Sequence, residues 1–267
     1  MARVRPGEAA NPAPPTVARV RLRFAKRGRL RFLSHRDVAR SFERAVRRAG
    51  VPVAHSHGFS PHPRLSWIGA APTGAASEAE YVEIGLTRPV DPAELARTID
   101  AALPDGLDVL AAAPAQGTAL ADRIDASGWR IELAGVAPAE LAAAVAALLA
   151  QDSVVVERIT PSGRRQVDVR AALVRLEAAP GDADAATGSG ELADAPSSVT
   201  PPRAAPPSPG CAILAAVVRQ TTPAVRPDDV LGALDVVAGL RPPVPARATR
   251  TAQGLLDDRG ALVDPLG

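Results

Sequence analysis

The sequence predicts an α+β protein of two tandem ferredoxin-like (βαββαβ) domains, the second interrupted by a disordered insertion. Three observations predict it. Alternating and helical segments follow one another as β-α-β-β-α-β over residues 17–113. A second set of elements runs over 123–252, matching the first by element order rather than by residue repeat. Between its halves, residues 178–210 are dominated by Ala, Pro, Gly, Ser and Asp, a composition that cannot bury enough apolar surface to order itself. Residues 1–16 and 253–267 read as tails, the first disordered.

The first domain opens with residues 17–24, which place Val20, Leu22 and Phe24 on one face and Arg19, Arg21 and Arg23 on the other. Gly28 marks a turn. Ser34 then serves as a helix N-cap, with Asp37 three positions on and Leu33 and Val38 as a hydrophobic staple. Val38, Phe42, Ala45, Val46 and Ala49 form the apolar stripe, Arg36, Arg40, Arg44, Arg47 and Arg48 the outer side, and Gly50 the stop. A strand is expected at 51–54, a Gly/Pro-rich loop at 58–64, extended chain at 65–68 and a strand at 81–86. Asp91-Pro92 opens a helix over 91–103, and 107–111 is the last strand.

In the second domain, strands are expected at 129–133 and 154–159 around a helix at 138–150, with 164–176 readable either way. After the insertion come a strand at 212–219, a helix at 227–237 and a strand at 244–251.

A length of 267 residues allows two ordinary domains, and an apolar fraction of 46% is enough for two cores. Cys211 is the single cysteine, so this chain has neither a disulfide framework nor a cysteine-ligated iron–sulfur cluster of its own. No apolar run approaches a membrane span, and the start of the chain lacks the apolar centre of a signal peptide, so a cytoplasmic protein without membrane attachment is expected. No Walker loop or Gly-x-Gly-x-x-Gly fingerprint is present, and no cofactor is expected.

Charge is the most informative bulk property. Twelve Lys or Arg lie between Arg19 and Arg48 against Asp37 and Glu43, a local net of +10 in a chain whose total is +2. Lys26 is the only lysine; the rest of the positive charge is arginine, which together with heavy Ala and Pro use fits a high-GC coding bias. The clustering, not the overall pI, points to an anionic partner, with RNA the first candidate.

The stretch 21–86 closely resembles the uncharacterised bacterial domain found as a C-terminal partner of radical SAM proteins. The resemblance rests on Leu30-Arg31-Phe32-Leu33-Ser34-His35-Arg36-Asp37, on Gly58-Phe59-Ser60-Pro61-His62-Pro63-Arg64-Leu65-Ser66, and on Gly74 and Ser77 leading into Glu80-Tyr81. Weaker similarity extends through Asp168-Val169-Arg170 and Arg250-Thr251. It implies association with a radical SAM protein, fused or separate, and carries no established activity. Of the four histidines, His35 and His62 match the family pattern; His55 and His57 do not belong to it.

Each candidate site competes with a plainer reading. Arg19, Arg21 and Arg23 would project from the sheet face left open by the helices, as phosphate contacts. The plainer reading is an intramolecular network in which Glu83, on the same face, neutralises one arginine. Tyr81 and Phe59 are stacking platforms, whereas Trp67 reads equally as core. Ser34 and Asp37 are explained by helix capping, while His35 is either an ordinary first-turn residue or an acid/base group. His62, held between Pro61 and Pro63, either shapes a turn or is fixed there as a site residue. His55-x-His57 with His62 or Asp37 can be drawn as a metal set, but no acidic cluster supports it and no metal is expected.

The resulting expectation is an RNA-binding or substrate-presenting module associated with a radical SAM or RNA-modifying or RNA-processing partner. Its site would comprise Arg19, Arg21, Arg23, His35, Asp37, Gly58, Phe59, Ser60, His62, Arg64 and Tyr81. Two rivals stand beside it: a metal-independent endoribonuclease using His35 and His62, and a protein–protein adaptor of a radical SAM enzyme. Whether the chain is an enzyme is left open by these residues.

Overall fold

The computed structural model describes residues 14–57, 60–160, 163–180 and 210–267. In chain order the elements are β1 (Ala18–Lys26), a 3-10 turn (Gly28–Phe32), α1 (His35–Arg48), β2 (Leu65–Ile68), β3 (Ala76–Leu86), α2 (Pro92–Asp100) and β4 (Val109–Pro114). There follow β5 (Ala126–Ala134), α3 (Pro138–Leu149), β6 (Val155–Thr160), β7 (Gly163–Asp168), the one-turn α4 (Val169–Ala172) and β8 (Leu173–Pro180). The last are β9 (Cys211–Arg219), α5 (Pro227–Ala238), β10 (Arg247–Leu256) and β11 (Leu262–Val263). The protein is thus mixed α+β and rich in strand. It divides into two compact units, Met1–Ser127 with Thr249–Gly267, and Gly128–Ala248. Among the described residues no helix is long and apolar enough to cross a membrane.

In the first unit β1 lies between β4 and β3 and runs antiparallel to both, with Val20 opposite Ile84 and Leu22 opposite Val82. That register puts Val20, Leu22, Phe24, Val82, Ile84 and Leu86 into one core with Phe42 and Val46 of α1 and Leu95 and Ile99 of α2. Phe24 and Phe42 pack at a tilt with centroids 4.6 Å apart, and Trp67 caps them edge-on at 5.1 Å from Phe42. Trp67 is therefore packed against the core while remaining partly exposed. The far edge of β3 is shared: β2 pairs antiparallel with its later half, Leu65 opposite Ile84, and β10 pairs parallel with its start, Arg250 opposite Ser77. The strand expected at 51–54 shrinks to a single bridge between Val53 and Leu86, because the partner positions on β3 are taken by β2.

In the second unit the order is β5-β9-β8. Residues 154–159 do not join that sheet. They form β6, which closes a separate hairpin with β7. The ambiguous 164–176 resolves into β7, α4 and the start of β8, and the strand beside β9 is β8. Ala178 pairs with Leu214 and Pro180 with Ala212, so the first residues assigned to the insertion are ladder. The rest of that stretch, 181–209, and residues 1–13 of the expected N-terminal tail lie outside the described residues. Residues 253–267 are not a tail: they complete β10, form β11 and bring Leu266 against Tyr81 and Ala79. The buried Gln253 amide, which donates to the Ala79 carbonyl, and the ladder between β10 and β11 hold that segment where its sequence shows too little periodicity to announce a strand.

Candidate nucleic-acid interface

Of the three β1 arginines, Arg21 is buried and Arg23, partly exposed, is paired with an acid. Arg21 is 3% exposed. Its Nε donates to Glu83 at 3.0 Å, and its terminal nitrogens donate to the carbonyls of Gln116 and Thr118 at 3.2 and 2.6 Å. Arg23 donates to Asp264 at 2.6 Å. The segments 115–120 and 257–266 cover this face, and the carboxylates of Glu83 and Asp264 neutralise it. Glu83 had been placed by alternation; Asp264 lies 241 residues from its partner and had not. Tyr81, expected as a stacking platform, is buried at 2% exposure. Burial first, and then Asp264, push its hydroxyl above the usual tyrosine range.

Arg19 differs. Its side chain is exposed and only touches Glu83, at 3.6 Å. It lines a cleft of about 390 Å³ with Thr16, Ser56, His62, Arg64 and Ser66. The lining contains two guanidinium groups, an imidazole and three hydroxyls, and no carboxylate. Local chemistry holds the walls in place. The Ser56 amide donates to the His62 carbonyl at 2.9 Å and the His62 amide returns to the Ser56 hydroxyl at 3.0 Å. The Arg64 amide donates to Ala54 at 2.7 Å, Gly85 donates to the Arg64 carbonyl at 2.9 Å, and Arg64 Nε reaches the His55 carbonyl at 3.3 Å. Gly85 permits the approach: a Cβ there would lie 3.2 Å from both Arg64 Cβ and the Thr16 methyl. Ser60 is exposed in the same loop. Gly58 and Phe59 lie outside the described residues.

His35 lies elsewhere. It opens α1, is exposed, and meets the Trp67 ring edge-on at 5.6 Å. It lines a narrow crevice with Lys26, Trp67, Glu80 and Tyr81, and this crevice is not the cleft that His62 lines. Asp37 does not orient it. The Ser34 hydroxyl donates to Asp37 at 2.6 Å and caps the Asp37 amide at 3.3 Å. That hydroxyl is the main reason the Asp37 carboxyl sits below the usual range, with Arg40 and Arg44 assisting. Among the described residues no group of three or more His, Cys, Asp or Glu is arranged to hold a metal ion.

Two features were missed by sequence reasoning. Phe32 ends the 3-10 turn 59% exposed, with the Arg31 guanidinium 4.6 Å above its ring. More consequential is a buried polar cluster of Lys26, Ser77, Glu80 and Arg250. Arg250 donates to Glu80, to the Ser77 hydroxyl and to the Gly69 carbonyl. Ser77, Glu80 and Arg250 do stand in the family-like segments, and the lone lysine was itself a signal. Asp168, the other family-like acid, caps α4 by accepting from the Ala171 amide at 3.3 Å and binds the Ser153 hydroxyl at 2.8 Å.

A family model described as an uncharacterized protein conserved in bacteria (DUF2344) matches residues 19–227. No curated protein matches the chain.

Proposed function

The chain belongs to this family of uncharacterised proteins conserved in bacteria, and we propose that it is a cytoplasmic RNA-binding module that presents RNA to a radical SAM or RNA-modifying partner. The observation that carries the reading is the cleft between Arg19 and Arg64, a concave, open site whose lining has two permanent cations and no acid. Guanidinium groups bind phosphate through paired N–H donors, and the Ser56, Ser66 and Thr16 hydroxyls suit phosphate and ribose oxygens. The five exposed arginines of α1 add a long-range attraction for a polyanion, and Phe32 offers an exposed ring on which a base can stack. Arg21, Arg23 and Tyr81 take no part in contact, since intramolecular partners occupy them.

The same reading takes both units as ferredoxin-like folds in tandem. It is supported by the antiparallel order β4-β1-β3-β2 in the first and by β5-β9-β8 with α3 and α5 in the second. The single cysteine leaves iron–sulfur chemistry to the partner.

The test is to purify the chain at low salt without nuclease, sequence the bound nucleic acid, and measure affinity against salt. Discrete RNA species, an affinity that falls steeply with salt because bound phosphates release counterions, and loss of binding in Arg64→Glu are the expected results. Absent or salt-insensitive binding overturns the reading.

A further inference from the structure

Lys26 is the only primary amine that a side chain of this protein provides. In a chain that otherwise uses arginine for every cation, that distinction is chemical. A guanidinium does not give up its proton in a protein, whereas an ammonium does so when desolvated, and the free amine is a nucleophile.

The surroundings favour the free amine. Lys26 is 3% exposed. Among the described residues its Nζ donates to the Ala71 and Pro72 carbonyls, both at 3.3 Å, the long end of hydrogen bonding. The nearest acid is engaged: Glu80 accepts from Arg250 through one oxygen and from the Ala71 amide at 3.2 Å through the other. Around the amine, two cations, Lys26 and Arg250, therefore share one carboxylate. Burial first, with Arg250 adding and Glu80 opposing, lowers the lysine below its ordinary range. Lys26 also lines the crevice at whose wall His35, an exposed imidazole at the start of α1, is placed together with Trp67. The crevice volume is about 10 Å³, room for one water-sized group.

We propose that Lys26 and His35 form a carbonyl-reactive site that takes a small aldehyde. The amine lone pair attacks the carbonyl carbon and a C–N bond forms. The crevice imidazole relays the two protons released by the amine nitrogen, one after the other, to the former carbonyl oxygen, which leaves as water, and a C=N bond joins lysine to substrate. Aldehyde and amine are thus converted to imine and water, with no oxidant or reductant involved. The narrowness of the crevice restricts the substrate to the smallest aldehydes. The apolar wall of Phe24, Val38 and Trp67 excludes bulk solvent from the product. This site is separate from the cleft assigned to RNA and does not depend on that assignment.

The test treats the full chain with formaldehyde and cyanoborohydride at pH 7, which reduces the imine to a methylamine, and reads intact mass and a tryptic map. Only Lys26 and the N-terminal amine can take the label. Expected is methylation of Lys26 in the folded protein at least as fast as that of the N-terminal amine. His35→Gln should slow labelling of Lys26 by about tenfold or more while leaving the N-terminal amine unaffected. Benzaldehyde, which is too large, should leave Lys26 unlabelled. Labelling of Lys26 only after denaturation, equal labelling by benzaldehyde, or an unchanged rate in His35→Gln each overturns the site.

Discussion

Arg250 of β10 and Glu80 of β3 form an ion pair inside the first unit, with side chains 4% and 7% exposed. The pair ties residues 170 positions apart and anchors the returning C-terminal segment beside the start of β3. Glu80 also accepts the Ala71 amide, so each partner has its charge met by more than one bond. Removing one partner leaves a buried charge without its counter-ion. Glu80→Gln and Arg250→Met should each destabilise the protein by about 3–5 kcal/mol, read from the urea midpoint at unchanged m-value.

Arg21 and Arg64 should separate structure from binding. Arg21→Met leaves Glu83 and two carbonyls without their donor in a buried setting and should lower thermal stability by about 2–3 kcal/mol. Arg64→Glu, on an exposed wall of the cleft, should leave the melting temperature unchanged while reducing RNA affinity about tenfold or more and flattening the salt slope by about one unit. A melting scan and a salt titration on the same two proteins decide it.

Capping at the start of α1 is testable by substitution and by pH. Ser34→Ala removes the hydroxyl that caps the Asp37 amide and should cost about 1 kcal/mol. Asp37 has a folded-state pKa below its ordinary 3.8. Its contribution is therefore present above the unfolded value and is lost as pH falls through the folded one. Asp37→Asn should be less stable than the parent at pH 7 and indistinguishable from it at pH 2, by urea denaturation.

In the second unit, Asp229 holds two elements at once. It accepts from Arg158 of β6 at 2.7 Å and from the Arg226 amide at the start of α5 at 2.8 Å. Asp229→Ala loses the ion pair and the cap together and should cost about 3 kcal/mol or more. Asn at the same position keeps the cap and should recover roughly 1 kcal/mol of it.

His35 and His62 line different cavities, so they are not arranged as an acid/base pair about one phosphate. RNA incubated with the protein should remain uncut. Appearance of a 2′,3′-cyclic phosphate end, lost in His62→Ala, is the outcome that contradicts this.

The local elements of the first unit were legible because short-range physics dictates them. Alternation in 17–24 puts Val20, Leu22 and Phe24 inward, Ser34 and Asp37 cap a helix whose stripe faces the core, and Gly50, at φ 62°, ends it. The loop residues His62 and Arg64 were also visible, because rigid Pro-flanked segments announce themselves, whereas Ser56 was not. By itself the sequence therefore determined the mixed α+β class, which residues are buried beneath the helices, and where the Pro-flanked loop carrying His62 and Arg64 stands. Only the tertiary structure decided which arginines are free. Alternation can place Arg21 and Arg23 on a face, but whether that face meets water depends on Asp264 and Gln116, distant segments with no periodicity of their own. The same holds for Lys26 and Arg250, whose burial follows from β10 pairing with β3, and for β6, which left the sheet because β8 took the place beside β9. Long-range pairing chooses between segments of equal local propensity, and that choice is made by packing, which no window of neighbouring residues contains.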